Sequence, residues 1–529
     1  MAFWDPVPQV DAEELRRGLR AFHADGVCSQ VRDSLLSGPL LVGYALLLGA
    51  SNIGVGALSA LGPATQVLQL PTVALIERWR ARKAICWWAA FLARVTWLGV
   101  LVVPWALPAS ARPGALFALL LTASALGTVS GAAWNPWIRD FLPEDLRNRA
   151  FARRMATATT IGAVLSLLAG LAVEDLGSRL GSAAGGYVLV LGAGAAAALL
   201  GLLFLSRIPE PTMPPATHRP WRDIIGAPLR NREFRSLVAF LATWTFAVNL
   251  STPFFTVYLL RRLALPMAVV IAFAVLSQLT AALVVRAWGA MADRFSTSAV
   301  LRVSCAVFLL GVAGWPVVGQ VQSPWLVIGG LTLIHILSGL SIAGVNLASG
   351  TVAMELAPRG AAAGYLATNA LVTGAASAIA PLLAGLSADW LETQRLSVTL
   401  AWTSTLRVGE GLTLRPIDLH GLDFLFVATF LVGLYAIHRI LGVSVRAPAR
   451  RREVLAALFA EMRDQMPQPL RAITTVPTVR DLVYYPLSLV GWLLPERRQG
   501  RGPGSLDDAV MTAPVQSTNP GGRRISDAP

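Results

Sequence analysis

LLAGLAVEDL (Leu167–Leu176) recurs as LLAGLSADWL (Leu382–Leu391), 215 positions further along the chain. Two apolar segments that share a glycine and an acidic residue at one spacing indicate an internal duplication. A charged stretch that contains a proline precedes each copy, and the proline repeats at the same distance. The corresponding positions are Pro143 with Pro358, Gly170 with Gly385, and Glu174 with Asp389.

Composition places this duplication in a membrane. Of 529 residues, 55% are hydrophobic and only 14% are charged, and the mean hydropathy is +0.59, whereas soluble domains carry about 25% charge. Uncharged runs at 115–138, 185–205 and 325–353 reach the roughly 20 residues that cross ~30 Å of hydrocarbon. The sequence therefore predicts an all-α membrane protein with twelve transmembrane helices in two pseudo-symmetric six-helix halves.

The predicted organisation has five segments. Each half holds six apolar spans, and the linker between the halves is rich in proline and arginine. The C-terminal tail begins with the spacing of an amphipathic surface helix and ends in a composition typical of disorder. The segments are the N-terminal segment 1–26, the first half 27–205, the linker 206–235, the second half 236–441 and the tail 442–529.

Basic residues orient the predicted spans. The formal charge of +14 is concentrated in alternate loops, which the positive-inside rule assigns to the cytoplasm. We expect the protein in the inner (cytoplasmic) membrane, with both termini and the linker on the cytoplasmic side. We also expect a monomer. Because the lipid bilayer accounts for this charge distribution, no nucleic-acid partner is expected. The outside loop at 389–421 is longer than the other outside loops and has no convincing span.

The predicted second and eighth spans end in related motifs. LIERWRARK (75–83) closes the second span, and GAMADRF (289–295) closes the eighth. Both resemble the loop motif G-x-L-A-D-R-x-G-R-R of the major facilitator superfamily. The second copy matches at Gly289, Asp293 and Arg294; the first matches in type at Glu77 and Arg78, with Val73 and Arg80 where the family has glycines.

The resemblance covers about 27–441 and implies two six-helix halves that rock about a central site. It also implies that Glu77 and Asp293 belong to an inside gate. There, a carboxylate meets the positive N-terminus of a facing helix, or arginines bridge to facing acids. The alternative is that the acidic and basic pair simply ends a helix in the headgroup region.

Polar side chains follow one helical face on three predicted spans. In the resembled family, spans one, four, seven and ten line the cavity, and polar groups within a bilayer tend to face such cavities. Helix packing through small polar residues is the alternative. Because histidine titrates near neutral pH, His335 is also a candidate for proton coupling. The substrate-cavity candidates are Asn135, Asn249, Thr252, His335 and Asn346.

Arg94 lies near the middle of the third predicted span. An unpaired charge at that depth costs at least ~2.5–3.5 kcal/mol, so Arg94 needs an acid or a carbonyl partner. Asp33 on the first span is the candidate by residue type. A structural ion pair and a coupling site both fit this pair.

Motifs for enzymatic chemistry are missing from the sequence. Lys83, the single lysine, is not part of a P-loop, and no HExxH, GxSxG or CxxC pattern occurs. The three cysteines are too scattered for a metal cluster, so we expect no cofactor, no metal and no catalytic residue. The sequence indicates a secondary active transporter that moves a small solute, driven by a gradient of protons or another ion. The alternative is a non-transporting protein of the same fold, acting as an assembly factor or sensor through its C-terminal extension.

Overall fold

The chain folds into a bundle of long apolar helices. The computed structural model describes residues 6–7, 10–213, 228–294, 297–355, 362–403 and 411–440. Within these residues, ten helices are long and apolar enough to cross a membrane. Together with the divided first span and the shorter last helix, these ten helices agree with the predicted twelve-span architecture.

Nine helical elements build the first half, counting one short 3-10 turn among the described residues. They are α1 (Ala12–Leu36), α2 (Gly38–Leu47), α3 (Asn52–Thr65), the 3-10 turn (Gln66–Leu68), α4 (Gln69–Trp79), α5 (Arg82–Ala106), α6 (Arg112–Phe141), α7 (Glu144–Arg179) and α8 (Ala183–Ser206).

The second half contains long helices and one β-hairpin. Its elements are α9 (Arg232–Val257), a π-helical turn (Tyr258–Arg262), α10 (Met267–Arg294), α11 (Thr297–Val318), α12 (Pro324–Glu355), α13 (Ala362–Leu391), β1 (Arg395–Thr403), β2 (Gly411–His420) and α14 (Asp423–Ile440).

The first predicted span is divided where α1 meets α2. Gly38 has a φ of 61°, in the left-handed region that glycine reaches without steric cost. Pro39 follows in the first turn of α2, where its missing N–H leaves no hydrogen bond unmade. The sequence therefore contains the reason for the break, although the apolar run continues through it.

Helices within each half pack into a bundle. In the first half α1 packs on α7 and α8, and α5 packs on α6 and α8; in the second, α9 packs on α13 and α14, and α11 on α12. Buried apolar side chains fill the spaces between them, including Trp137 in the first half and Trp288 and Trp315 in the second. Two buried apolar clusters belong to the first half alone, and a third joins the second half to first-half residues such as Leu40 and Val55.

The loop at 389–421, which the sequence predicts to lie outside, contains an antiparallel hairpin of β1 and β2. Arg395 donates two hydrogen bonds to Asp418, at 2.8 and 2.7 Å, and the N–H of Asp418 donates to Gln320 at 3.2 Å. The hairpin is thereby tied to the loop between α11 and α12. We call this side of the bundle the hairpin end. The opposite side, where α8 ends and α9 begins, is the linker end.

Parts of the predicted organisation lie outside the described residues. These are the tail at 442–529, with its predicted amphipathic helix, and the central part of the linker at 214–227.

Arg80 ends α4 in a conformation that suits glycine. Its φ is 52° and its N–H donates to the carbonyl of Ile76. An L side chain costs roughly 1–2 kcal/mol in this left-handed region. The resembled motif has glycine at this position, and Arg80 shows the physical reason for that preference.

Replacement of Arg80 by glycine should raise the free energy of unfolding by about 1 kcal/mol, because it removes this strain at an exposed position. Thermal unfolding of the purified protein measures the effect. Arg78→Gly, at an exposed helical position two residues earlier, is the matched control and should lower stability. Equal losses in both variants would contradict the strain at Arg80.

Candidate functional site

Helices α3 and α13, from different halves, are in close contact at the hairpin end. A Cβ added to Gly56 would lie 2.1 Å from the carbonyl oxygen of Pro381, and one added to Gly385 would lie 2.7 Å from that of Asn52. No side chain fits at either position. The two glycines therefore allow the backbones of the halves to meet.

Asp389 binds the N-terminus of α3 across this contact. Its carboxylate accepts hydrogen bonds from the N–H groups of Asn52 at 3.0 Å and Ile53 at 3.2 Å. Both N–H groups belong to the first turn of α3, where they have no partner within the helix. The negative carboxylate also faces the positive end of the helix dipole. One side chain thus satisfies two backbone donors of the other half.

Glu174 does the same for α10, at a second contact between the halves at the hairpin end. Its carboxylate accepts a hydrogen bond of 2.6 Å from the N–H of Met267, the first residue of α10. A Cβ added to Gly170 would lie 3.1 Å from the Cα of Ala268. The second contact between the halves therefore combines a close glycine and an acid at a helix N-terminus, as the first does.

The two contacts are copies of each other. Glu174 and Asp389 are separated by 215 positions, and so are the helix starts Asn52 and Met267. The duplicated sequence therefore places each acid of one half on a helix N-terminus of the other. We call the bonds of Asp389 to Asn52 and Ile53, and of Glu174 to Met267, the inter-half lock. Sequence reasoning identified these acids as repeated positions but missed their partners.

Further bonds strengthen the α3 side of the lock. The amide of Asn52 donates to Glu392 at 2.7 Å. Arg261 donates to the carbonyl of Ala50 at 3.1 Å and lies 3.9 Å from the carboxylate of Glu392. The loop before α3 is thus held by both an acid and a base of the second half.

A cavity of about 540 Å³ lies within the first half. Its walls come mainly from α1, α3, α5 and α6, and they combine apolar side chains with serine hydroxyls. The charged residues that line it are Asp25, Arg32, Asp33, Arg94 and Arg154.

Arg154 and Asp25 form one ion pair of this cavity. Arg154 on α7 donates to the Asp25 carboxylate at 3.0 Å and to the carbonyl of Phe22. Its guanidinium also lies 4.5 Å from the ring centre of Phe22 and 5.3 Å from that of Trp134. These contacts fix Arg154 from three directions, so Asp25 is neutralised while buried.

Arg94 has no such partner. The predicted pair with Asp33 is not formed, because Asp33 pairs with its neighbour Arg32 at 2.8 Å. The Arg94 side chain is only 5% exposed, and its Nε and Nη1 atoms make no hydrogen bond with the described residues. The structure thus brings Asp33 and Arg94 to one cavity without joining them.

The predicted cavity residues of the second half occupy different surroundings. Asn249 donates to Thr245 at 2.9 Å and to Ser377 of α13 at 3.4 Å, which is a packing contact between helices. Thr252 is exposed and donates to the carbonyl of Val248. Asn346 on α12 and Asn135 on α6 of the first half are also exposed.

His335 lies inside the second half. It is 8% exposed, stacks on Phe273 at 4.8 Å and meets Trp315 edge-on at 5.7 Å. Its Nδ1 lies 2.8 Å from the carbonyl oxygen of Leu331. The expected position on an open cavity surface therefore does not hold for His335 in this conformation, although Asn346 on the same helix is exposed.

The gate motifs lie at the linker end of the bundle. Glu77 is half-buried and Arg78 exposed near the end of α4, and Asp293 and Arg294 are exposed at the end of α10. A Cβ on Gly289 would meet nothing within 4 Å. The structure leaves open space where the family motif has its first glycine.

A buried charge cluster at the linker end was missed by sequence reasoning. Arg82 is 1% exposed and donates to Asp140 at 2.5 Å. Glu210, in the linker, accepts the N–H groups of Arg82 at 2.8 Å and Lys83 at 3.1 Å, in the first turn of α5. Burial raises the pKa of Glu210, and these hydrogen bonds oppose the rise. The sequence signal was weak, because the stretch around Asp140 carries both acids and arginines and Glu210 is an isolated acid between two prolines.

Comparison with known proteins identifies the architecture. The family model described as Major Facilitator Superfamily matches residues 28–406, and no curated protein matches in sequence. Similar solved structures share only the fold at this level of identity. A variant of the nucleoside transporter NupG has 14% identity and a TM-score of 0.59, over 81% of this chain and 99% of that one.

Two further structures are similar in the same way. A bacterial homologue of the iron transporter ferroportin, in an inward-facing state, has 13% identity and a TM-score of 0.57, over 83% of this chain and 100% of that one. A D-xylose–proton symporter has 12% identity and a TM-score of 0.54, over 81% and 97%.

Replacement of Asp389 by alanine should expose the backbone N–H groups of Asn52 and Ile53. We expect their hydrogen exchange to accelerate on the order of tenfold, because a charge-assisted bond at a helix N-terminus is lost. Glu174→Ala should do the same for Met267. Asp175→Ala, beside Glu174 but paired with exposed Arg179, is the control. Unchanged exchange at 52–53 and 267 in both variants would refute the lock.

Proposed function

The chain belongs to the Major Facilitator Superfamily, and from that premise we propose that it is a secondary active transporter that moves a small solute by alternating access. The observation that carries the proposal is the inter-half lock. It closes the hairpin end with two equivalent contacts, and in each an acid of one half accepts hydrogen bonds from a helix N-terminus of the other. Rocking of the halves about a midplane site requires such contacts.

The charges of the loops orient this conformation in the membrane. With the basic loops in the cytoplasm, the linker end faces inside, both termini are cytoplasmic, and the hairpin end faces outside. The conformation with the hairpin end closed is then the inward-facing one. In the outward-facing state the lock is broken, and the gate motifs with Glu77, Arg78, Asp293 and Arg294 close the linker end.

Asp293 fits the role of a gate residue because its carboxylate is unpaired among the described residues in this conformation. It is exposed and forms no hydrogen bond or ion pair with the described residues. A carboxylate at the end of α10 is available to meet a facing helix N-terminus when the linker end closes. The energy for the cycle comes from a solute or ion gradient, since the single lysine, Lys83, lies at the N-terminus of α5 rather than in a nucleotide-binding loop.

Cross-linking of the lock should stop transport reversibly. Asn52 and Glu392 are joined by a 2.7 Å hydrogen bond, so cysteines at both positions can be bridged by a short thiol-specific cross-linker that a reductant cleaves. The uptake assay uses proteoliposomes and a panel of nucleosides, pentoses, monocarboxylates and divalent metal ions. We expect gradient-driven uptake of at least one of these solutes. Bridging should abolish it, and reduction should restore it.

Each single-cysteine variant, treated with the same reagent, is the control and should keep its uptake. Full uptake in the bridged protein would contradict alternating access at this lock. If the folded wild-type protein moves no member of the panel under any imposed gradient, the transporter proposal itself fails.

A further inference from the structure

The cavity of the first half contains one charged side chain that forms no ion pair with the described residues. Four of its five charged side chains form two ion pairs, Arg32 with Asp33 at 2.8 Å and Arg154 with Asp25 at 3.0 Å. The fifth, Arg94, is only 5% exposed. The cavity therefore carries a net charge of +1 on its walls.

We propose that this cavity binds a small organic anion with a single negative charge, and that Arg94 pairs with its oxyanion group. The Nε and Nη1 atoms of Arg94 are buried without a hydrogen-bond partner among the described residues, and Arg94 lines the cavity, where the oxyanion of a ligand can accept charge-assisted hydrogen bonds from a guanidinium. A buried donor without a partner is destabilising. An arginine in this state points to a ligand that completes it.

Asp25 does not serve as that partner. Its Oδ2 atom is bonded to Arg154, which is itself fixed by the Phe22 carbonyl and by two aromatic rings. Arg94 Nη1 and Asp25 Oδ1 both approach Gly201, at 3.4 and 3.7 Å from the position of an added Cβ. They are neighbours, yet no ion pair joins them within 4 Å among the described residues.

The remaining walls favour an anion with an apolar body. The hydroxyl groups of Ser29 and Ser124 line the cavity beside the charged groups, and the side chains of Leu58, Leu61 and Trp97 line the rest. A volume of about 540 Å³ accepts a molecule of the size of an aromatic carboxylate. A cation would add to the unneutralised charge, and a neutral sugar would leave it in place.

This inference rests on the proposed function only in calling the anion the transported solute; binding itself does not depend on transport. The test is therefore a binding measurement on the purified full chain. Benzoate is the probe, benzamide is its uncharged counterpart of equal shape, and inorganic phosphate tests a charged group without an apolar body. Calorimetry and thermal unfolding at constant ionic strength report binding.

Benzoate should bind and raise the unfolding temperature, whereas benzamide and phosphate should not. Arg94→Gln should weaken benzoate binding on the order of 10- to 100-fold, and Arg94→Lys should weaken it less. Without ligand, Arg94→Gln should be as stable as the wild type or more stable, because an unpaired buried charge is removed. Arg139→Gln, at an arginine of α6 whose side chain is 66% exposed, is the control and should bind benzoate normally.

Gly127→Leu provides a second variant that leaves Arg94 intact. Gly127 lines the cavity, and an added Cβ would meet nothing within 4 Å, so the larger side chain fills the cavity without a clash. It should also abolish benzoate binding. Wild-type affinity in both Arg94→Gln and Gly127→Leu would overturn the proposal, and so would equal binding of benzamide. A loss of ligand-free stability in Arg94→Gln would make Arg94 a structural residue.

Flux separates this inference from the proposed function. If the protein transports another solute but binds no benzoate, the anion site is wrong and the transporter stands. If benzoate binds through Arg94 and no gradient moves any solute of the panel, the site stands and the transporter proposal fails.

Discussion

The hydrogen bonds from the N-terminus of α3 to Asp389 are the interaction on which the arrangement of the halves depends. The first N–H groups of a helix have no acceptor within the helix. Asp389 supplies one from the other half, at 3.0 and 3.2 Å. The contact between the halves at this position therefore depends on a single side chain.

Duplication makes this interaction recur. The shift that relates Asp389 to Glu174 also relates Asn52 to Met267, so the same local arrangement forms both contacts between the halves at the hairpin end. A similar contact occurs at the linker end, where Glu210 accepts hydrogen bonds from the first N–H groups of α5. That contact lies within the first half and its linker, and it stabilises the half rather than the closure. The position of the acid thus decides whether the contact lies within one half or joins the two halves.

Charges inside the first half follow the same physical rule, with one exception. Arg82 and Arg154 are buried with acids beside them, since an uncompensated buried charge is costly. Arg94 is equally buried, but no ion pair within 4 Å joins it to an acid among the described residues. Two nitrogens of its guanidinium are buried without a hydrogen-bond partner there, and the cavity beside Arg94 is the proposed place for a ligand.

Much of the architecture was predictable from the sequence, because apolar length and repeated spacing depend on local composition. The helical spans and the resemblance of the loop motifs were found in this way, and so were the repeated positions Gly170, Gly385, Glu174 and Asp389. The partners of these residues were not, because they lie on other helices and depend on how the halves meet. His335 shows the same limit: helical spacing placed it on a polar face, and packing against Phe273 and Trp315 removed it from the surface. The hairpin was missed although Leu396, Val398, Leu400 and Trp402 stand at every second position of β1, which is the spacing of a strand.

Distances between spin labels test the central claim, that the inter-half lock holds one of two alternating states. One pair of labels, at Ser110 and Gln322, reports the hairpin end, and a second pair, at Arg149 and Arg235, reports the linker end; all four residues are exposed. In a protein with Asp389→Ala and Glu174→Ala, the account predicts that the first distance lengthens while the second shortens. Unchanged distances at both ends, or changes of the same sign, would contradict it.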